Sequence, residues 1–450
     1  MIISPSHNLD LISRWYFSGR VHLTPDEAIA ILQSPEIMAK HDPKIVKLIR
    51  LVQSFPAREH AALLRREIRV RFLVHRANSN PFFENAPSRG ELPELKQGRV
   101  PLLTMETGGV LSVEVGLNGT AKNIITAGPT GSGKTNWLKA LLLAAAGQAI
   151  IVVFDRKGDL APVVEYEQPG DVVLLEASDL KLAMFQPPPG MAVVDFISIM
   201  TEMLARNLSL IASRRLISDT LMYLFTKKGK GGEQHKVCLS EVVEHLERMK
   251  VHAMSRLGQY REAVLYALKD LHRRSSGILD YSESNFLEQV FSQRRTLIID
   301  CGNIAVDHLS IIVSLFYMYI YESRRIAGTN SPSVMIVVDD ALPLVTGSSA
   351  AESEGGINPI STWSFMGRSF NIGLVISGQN FSIISPALRN NTDTVMCFGG
   401  SGEDVQAIAR HMNLTPEQAA CIPRLQPGEV IAFARSVWPY AVKGYIPKVR

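Results

Sequence analysis

Cysteine is scarce in this sequence of 450 residues, and its four copies are far apart. Cys238, Cys301, Cys397 and Cys421 form no C-x-x-C pair. Zinc sites and disulfide-stapled folds require clustered or regularly spaced cysteines. The sequence therefore excludes both, and we expect buried thiols in a reducing cytosol.

Long hydrophobic runs are also missing. The longest apolar stretches, near 311–319 and 140–154, are too short or are interrupted by polar residues, so neither predicts a membrane span. The first residues lack the basic-then-apolar pattern of a signal peptide. We therefore expect a soluble, cytoplasmic protein without a membrane span.

A strong charge of either sign is absent too. Lysine and arginine number 47 against 43 acidic residues, which leaves a net charge of +4. This excess neither requires nor excludes a nucleic-acid partner. Apolar residues make up 46% and charged residues 20%, as is typical of a globular protein, and the length suits two or three domains.

The chain divides into four segments by composition. Residues 24–27 form a capping box that opens a helix, and 78–98 is rich in proline and glycine. We predict a mostly helical N-terminal domain with its linker over 1–98. The core domain occupies 99–189 and 291–450, and 190–290 forms a helical insertion between its two parts.

The core domain consists of apolar, β-branched runs that alternate with helical patterns. Such runs indicate a parallel sheet covered on both faces, and hence an α/β fold. The predicted strands are 123–127, 149–154, 172–175, 296–300, 333–338, 372–377, 394–398 and 429–434.

A complete phosphate-binding motif, GPTGSGKT, follows the first of these strands and opens a helix. Its glycines let backbone N–H groups surround phosphate oxygens, and the helix N-terminus adds a partial positive charge. We expect Lys134 to contact the β- and γ-phosphates of ATP and Thr135 to bind Mg²⁺. The predicted nucleotide-binding residues are Gly128, Pro129, Thr130, Gly131, Ser132, Gly133, Lys134 and Thr135.

Two acidic residues, Asp339 and Asp340, end the apolar strand VMIVV. We predict that Asp339 binds the magnesium ion through water and that Asp340 polarises the attacking water. Carboxylates that merely open a turn are the alternative interpretation. Gln379 follows the strand 372–377, and we expect it to sense the γ-phosphate or to position water.

Together, these motifs resemble the HerA/FtsK superfamily of RecA-like DNA-pumping ATPases, which includes conjugation and type IV secretion coupling ATPases. The matching pieces follow one another in the family's order. They are GPTGSGKT, VVFDRKGDL at 152–160, RTLIIDCGNI at 295–304, VVDDA at 337–341, the segment 367–394 and LQPGEVIAF at 425–433.

The resemblance implies a ring, usually a hexamer, in which an arginine from one subunit acts on the ATP of the next. Arg368 occupies the family's position for this arginine, and Arg389 is the second candidate. Three departures separate this sequence from the family pattern. Asp340 stands where glutamate is usual, which predicts slower hydrolysis. Residues 1–98 match neither a β-barrel nor membrane helices, and no winged-helix domain follows the core.

A DNA-pumping ring requires basic groups that follow phosphates. The predicted nucleic-acid contacts are Lys227, Lys228, Lys230, Arg273 and Arg274, although a solvated charge run is the favoured interpretation for any one of them. The glycine- and serine-rich segment 346–356 is a further candidate. The N-terminal domain is expected to dock a nuclease or another effector.

The function predicted from the sequence is a ring-forming, ATP-driven DNA translocase. Two alternatives stay open: a nucleotide-regulated scaffold with little hydrolysis, and a secretion-type ATPase that moves protein. The shorter Asp340 favours the first alternative, whereas insensitivity of the ATPase to DNA would favour the second.

Overall fold

The computed structural model describes most of the chain between residues 99 and 446. The described residues are 49–50, 81–82, 86–87, 92, 99–105, 109–114, 121–166, 172–227, 236–275, 277–284, 296–327, 332–340 and 364–446. Nearly all of the predicted N-terminal domain, and the segment 346–356, lie outside these residues.

The described residues form one sheet of eleven strands. Most are built from continuous Val, Ile and Leu runs that are buried on both faces. In chain order they are β1 (Arg99–Met105), β2 (Val110–Glu114), β3 (Ile124–Ala127), β4 (Ile150–Asp155), β5 (Val172–Glu176), β6 (Thr296–Asp300), β7 (Val334–Val338), β8 (Ile372–Gly378), β9 (Thr394–Cys397), β10 (Glu429–Ala434) and β11 (Val442–Tyr445).

The spatial order of the strands is β2-β1-β11-β10-β9-β3-β8-β7-β4-β6-β5. The seven strands from β9 to β5 pair in parallel. The four strands on the other side, β10, β11, β1 and β2, pair antiparallel. The predicted α/β fold with a mainly parallel sheet is therefore confirmed.

Strand β10 corrects one detail of that prediction, because it runs antiparallel to β9. Two helices follow β9 and return the chain to the edge of the sheet where β3 ends. There the backbone N–H of Gly428 donates to the carbonyl of Ser132 at 2.9 Å. Since β10 starts at this edge, it must run in the opposite direction to β9 and β3.

Strands β1, β2 and β11 were not predicted from the sequence. Their burial alternates or is interrupted by polar and glycine positions, as in RVPLLTM and VKGY, so they lack a continuous apolar run. Strand β1 also contains Pro101, which breaks the register between β1 and β2. These strands are held by their antiparallel neighbours, which the local sequence does not reveal.

Helices connect the strands on both faces. The α-helices are α1 (Lys134–Ala145), α2 (Val193–Asn207), α3 (Arg214–Thr226), α4 (Leu239–Arg248), α5 (Arg256–Arg274), α6 (Val306–Ala327), α7 (Pro386–Asn390), α8 (Glu403–Met412) and α9 (Pro416–Ala419). Short 3₁₀ helices lie at Ala161–Tyr166, Ala177–Asp179, Ile211–Ser213, Arg368–Phe370 and Ile422–Arg424. Helices α2 to α5 stand between β5 and β6 in the chain, within the stretch 190–290.

The sheet separates two apolar layers, and alternate residues of each central strand enter different layers. In β4, Val152 and Phe154 pack in the layer that contains α2 and α6, whereas Ile151 and Val153 face α1. The Phe154 ring meets Phe316 of α6 edge to face at 5.2 Å between ring centroids. Double-sided burial explains why these strands are apolar throughout.

The structure also bears on the predicted burial of the cysteines and on the prediction about membrane spans. Cys301 and Cys397 are buried as predicted, but Cys238 and Cys421 are partly exposed. None of the described helices combines the length and apolar character needed to cross a bilayer.

Candidate nucleotide-binding site

The phosphate-binding motif forms a loop between β3 and α1. Gly131 has a φ of 79° and Gly133 a φ of 113°, a region that side chains with a Cβ rarely adopt. Gly133 stands at the N-cap of α1, and no side chain caps the helix. The N-terminus of α1 therefore faces the loop without a capping side chain, an arrangement that suits an anion.

Several neighbours hold this loop in shape. A Cβ on Gly128 would lie 2.7 Å from the Cβ of Phe398, so the start of the loop packs directly on the residue after β9. On the other side, the indole N–H of Trp137 in α1 donates to the carbonyl of Pro101 in β1 at 3.0 Å. The loop is thus fixed through contacts with both neighbouring parts of the sheet.

Lys134 is the first residue of α1 and turns its side chain back into the loop. Its Nζ donates to the carbonyls of Gly128 at 2.6 Å and Pro129 at 2.8 Å. Burial lowers the pKa of Lys134, and the nearby carboxyl of Asp339 opposes that shift. A half-buried ammonium at the start of a helix, beside a glycine-rich loop, is the expected cradle for phosphate oxygens.

Asp339, which follows β7, is almost fully buried at the same edge of the sheet. Burial raises the pKa of its carboxyl, while Ser377 of β8 and Lys157 act in the opposite direction. Its Oδ2 is buried without a hydrogen-bond partner among the described residues. A buried carboxylate oxygen with free lone pairs fits a hydrated magnesium ion, and Thr135 at the start of α1 offers the second oxygen.

Asp340 has a left-handed backbone, with a φ of 58°, which is uncommon for a residue other than glycine. Its N–H donates to Oδ1 of Asp339 at 3.0 Å. Its Oδ2 lies 3.6 Å from Nζ of Lys157 and 3.9 Å from Nη1 of Arg156. The candidate catalytic carboxylate is therefore paired with two cations of the turn that follows β4.

Gln379 is exposed directly after β8, which lies between β3 and β7 in the sheet. It lines a cavity of about 400 Å³ beside the phosphate loop, on the side of β9. Pro129, Phe398, Ile422 and Pro427 supply apolar walls to this cavity. At its floor, Asp404 of α8 accepts hydrogen bonds from the side chain of Asn380 and from Ser382.

Arg368 lies at the other edge of the sheet, just before β8 begins. Strand β8 has seven residues and spans about 20 Å at the rise of a parallel strand. Ala127 at the end of β3 pairs with Gly378 at the far end of β8. Arg368 therefore cannot reach the phosphate loop of its own chain.

Around Arg368 lies a second cavity, of about 370 Å³. Its lining includes Phe365, Asn391, Asp393 and Arg435. Arg368 and the ring of Phe365 are both exposed at its rim. The second arginine candidate, Arg389, stacks on Phe381 with 5.5 Å between its Cζ and the ring centroid.

The described nucleic-acid candidates lie on the helical insertion. Lys227 follows α3 and has its Nζ 5.1 Å from the ring centroid of Tyr223. Arg273 and Arg274 end α5, and Asp270 pairs with them at 2.7 Å and 3.1 Å. That carboxylate partly neutralises both arginines. Lys228 and Lys230 lie outside the described residues.

Sequence reasoning did not assign the turn after β4 to the site. There the carboxylate of Asp155 accepts the backbone N–H groups of Lys157 at 3.2 Å, Gly158 at 3.0 Å and Leu160 at 2.8 Å. The signal that points to such a turn is an Asp at the end of an apolar strand, followed three residues later by Gly. Only the neighbouring position of β4 and β7 brings its cations to Asp340.

Comparison with sequence models of protein families matches residues 116–320 to the family described as "Helicase HerA, central domain". The matched stretch contains the phosphate loop, the turn after β4 and helices α1 to α5. No curated protein sequence matches the chain.

Solved structures share this architecture over most of the chain. VirB4 of Thermoanaerobacter pseudethanolicus has a TM-score of 0.58 at 14% identity, over 79% of this chain and 98% of VirB4. The unbound bacterial conjugative coupling protein TrwB has a TM-score of 0.56 at 14% identity, over 80% and 92%. TrwB in complex with ADP and Mg²⁺ has a TM-score of 0.54 at 14% identity, over 80% of this chain and 97% of the TrwB chain. At this identity the likeness establishes a shared RecA-like ATPase fold.

Proposed function

Because residues 116–320 belong to the HerA central-domain family, we propose that this protein is a magnesium-dependent ATPase that assembles into a ring and moves DNA. One observation carries the proposal most directly. Lys134 in its loop and the buried Asp339, with its unpaired oxygen, both lie at the carboxyl edge of the parallel strands, after β3 and β7, which flank β8. Ligands of open α/β sheets bind at this edge.

The phosphates of ATP bind between the N-terminus of α1 and the end of β7. Lys134 then exchanges its contacts with loop carbonyls for phosphate oxygens, which are stronger acceptors. The cavity on the side of β9 receives the nucleoside, whose flat base suits its proline-lined apolar walls.

Thr135 and Asp339 would hold a magnesium ion, the former through its hydroxyl and the latter through its unpartnered Oδ2. When bound, the ion would neutralise charge on the phosphates. Asp340 follows β7 and Gln379 follows β8, at the same edge of the sheet as the phosphate loop. Asp340 accepts a proton from the attacking water, and the amide of Gln379 orients that water.

The ring is supported by the position of Arg368. Its guanidinium lies at the edge of the sheet opposite to its own phosphate loop, so only a neighbouring subunit can use it. A head-to-tail arrangement of identical subunits brings such opposite edges together and closes into a ring. A hexamer is the ring size that the family resemblance favours.

DNA is the proposed cargo on the strength of the family and of the fold shared with a conjugative coupling protein. Lys227, Arg273 and Arg274, together with Lys228 and Lys230, are the proposed contacts to its backbone. We further propose a cytoplasmic location and an effector, such as a nuclease, bound through residues 1–98.

A nucleotide-regulated scaffold is the second candidate function. It is favoured by Asp340, which is shorter than the usual glutamate and is paired with Arg156 and Lys157. Both cations compete with an attacking water for contact with this carboxylate. A secretion-type ATPase that moves protein is the remaining alternative. The response of ATP hydrolysis to DNA distinguishes it from a DNA translocase.

Steady-state ATP hydrolysis by the purified protein tests these candidates. Turnover is measured without nucleic acid, with single-stranded DNA and with duplex DNA, next to Lys134→Ala as the control. We expect DNA to stimulate hydrolysis by the wild type and Lys134→Ala to abolish it.

The other outcomes distinguish the alternatives. Turnover that is indifferent to both forms of DNA contradicts DNA translocation and favours a protein cargo. Nucleotide binding without turnover favours the scaffold, and Asp340→Glu should then raise hydrolysis. Unchanged turnover in Lys134→Ala would disprove the assigned site.

A further inference from the structure

The turn after β4 is a rigid support for two cations. Three backbone N–H groups converge on the buried carboxylate of Asp155, and the carbonyl of Asp155 accepts from Cys301 at 2.8 Å. Gly158 completes the turn with a φ of 72°. Because its backbone is held at so many points, the turn presents the side chains of Arg156 and Lys157 in a defined direction.

Both side chains extend across the sheet edge to Asp340, but neither makes a close contact there. The shortest separations, 3.6 Å for Lys157 and 3.9 Å for Arg156, are those of ion pairs without a hydrogen bond. The side chains of Lys157 and Arg156 are 40% and 34% exposed. Such partly hydrated pairs stabilise a fold only weakly, so their charges can change partners at little cost.

The two cations differ in what else they face. The charge of Lys157 lowers the pKa of Lys134 in the phosphate loop. It also lowers the pKa of Asp339, the proposed magnesium carboxylate. Lys157 is one of the described groups that shift these two pKa values, and Arg156 is not one of them. Lys157 is also the closer of the two cations to Asp340, whose backbone N–H donates to Asp339, so it lies within electrostatic reach of the phosphate site.

We propose that Lys157 is a second phosphate-contacting lysine, which binds the γ-phosphate of ATP in the same subunit and is held by Asp340 until that phosphate arrives. This inference rests on the proposed ATPase function. Among the described residues, the side chain of Lys157 forms an ion pair with Asp340, and the proposal gives this side chain a role in nucleotide binding.

The chemistry of the site requires such a group. Charge spreads over the transferred phosphoryl group during hydrolysis, and fixed cations around it stabilise that charge. Arg368 cannot supply one within the subunit, since it lies at the opposite edge of the sheet. A lysine ammonium on a flexible stem can move from one carboxylate to a nearby phosphate oxygen.

Nucleotide affinity, measured by calorimetry with full-length protein in Mg²⁺, tests this inference without relying on turnover. A non-hydrolysable ATP analogue and ADP are compared for the wild type, Lys157→Gln and Arg156→Gln. Lys157→Gln should weaken the ATP analogue about tenfold, or 1.4 kcal/mol, and leave ADP within about twofold. Arg156→Gln is the matched control, because it removes a cation from the same turn and from the same carboxylate.

Asp340→Asn supplies the second arm. Removal of the competing carboxylate should tighten binding of the ATP analogue in the wild-type background. The gain should shrink in the Lys157→Gln/Asp340→Asn double variant, because the released ammonium is then absent. Lys157→Arg keeps the charge and should recover part of the lost affinity.

Three results would overturn the inference. These are equal losses for ADP and the ATP analogue in Lys157→Gln, equal effects of Lys157→Gln and Arg156→Gln, or strictly additive effects of the two substitutions in the double variant. A wild type that binds neither nucleotide would instead disprove the proposed ATPase, and this inference with it. Circular dichroism of each variant separates loss of affinity from loss of fold.

Discussion

Arg368 and Lys134 lie at opposite edges of the same parallel sheet. Lys134 follows the carboxyl end of β3, and Arg368 precedes the amino end of β8, which pairs with β3 along its length. About 20 Å of strand separates the two edges. The two residues can act on one ATP molecule only if they come from different subunits.

Complementation between inactive subunits tests that relationship. Arg368→Ala should reduce ATP turnover by about a thousandfold, because the arginine stabilises charge on the transferred phosphoryl group. Asp340→Asn should also be inactive. In an equal mixture, about a quarter of the sites combine an intact Asp340 with a neighbour's intact Arg368, so turnover should partly return.

The control for this experiment is Arg389→Ala mixed with Asp340→Asn. Arg389 stacks on Phe381, so its loss should reduce thermal stability more than turnover. If Arg368→Ala mixtures stay inactive although they form rings, Arg368 does not act between subunits.

Asp339 should control the magnesium dependence of nucleotide binding. Its buried Oδ2 has no hydrogen-bond partner among the described residues, and Asn keeps the volume while it removes the charge. We expect Mg²⁺ to tighten binding of an ATP analogue to the wild type by about tenfold or more, and this gain to disappear in Asp339→Asn. Calorimetric titrations with Mg²⁺ and with EDTA measure the difference.

Thr135→Val is the companion variant, since it removes a hydroxyl without a change in shape. It should show the same loss of magnesium dependence and retain binding in EDTA. A magnesium effect that survives in both variants would refute their assignment as the metal site.

Gly128→Ala should destabilise the protein. A Cβ at this position would lie 2.7 Å from the Cβ of Phe398, which is a backbone-anchored atom that cannot move aside. We expect a loss of about 1 to 3 kcal/mol in the free energy of unfolding, as for other overpacked sites. Thermal and denaturant unfolding measure it.

Gly147→Ala is the matched control. Gly147 also has a positive φ, of 69°, but nothing lies within 4 Å of the position that a Cβ would take there. It should therefore suffer backbone strain alone, and a smaller loss than Gly128→Ala. Equal losses would mean that contact with Phe398 does not position the phosphate loop.

His411 should make the stability of the fold depend on pH. Burial lowers its pKa to about 4, and the cations of Arg435 and Arg389 act in the same direction. Its ring packs on Phe381 with 5.4 Å between centroids. Because the unfolded chain binds a proton near pH 6.5 and the folded chain does not, stability is full above that pH and falls between pH 6.5 and about 4.

At pH 5 the loss attributable to His411 is about 1 to 2 kcal/mol, after a discount for its partial exposure. His411→Gln should flatten the decline of the free energy of unfolding over this pH range. Carboxylates contribute the same background to both proteins, so the difference between the two curves isolates His411. Parallel curves would contradict the assigned burial.

Much of the fold was predictable from local sequence. Six of the seven parallel strands are continuous apolar runs buried on both faces, and that pattern needs no partner to be recognised; the edge strand β5 is partly exposed. The phosphate loop was predictable for a similar reason. Its glycines and its lysine lie between one strand and the start of the next helix, within about a dozen residues of one another.

The remaining features depend on residues that are distant in the chain. The sequence alone determined the parallel core, the phosphate loop and the acidic residues after β7. Only the tertiary structure decided that β10 runs antiparallel, that Lys157 pairs with Asp340 and that Arg368 lies at the edge of the sheet opposite to its own phosphate loop. The physical reason is that strand order and direction are set by pairing across the sheet. This pairing joins residues as far apart as Thr104 and Tyr445 and leaves no periodic trace in either segment.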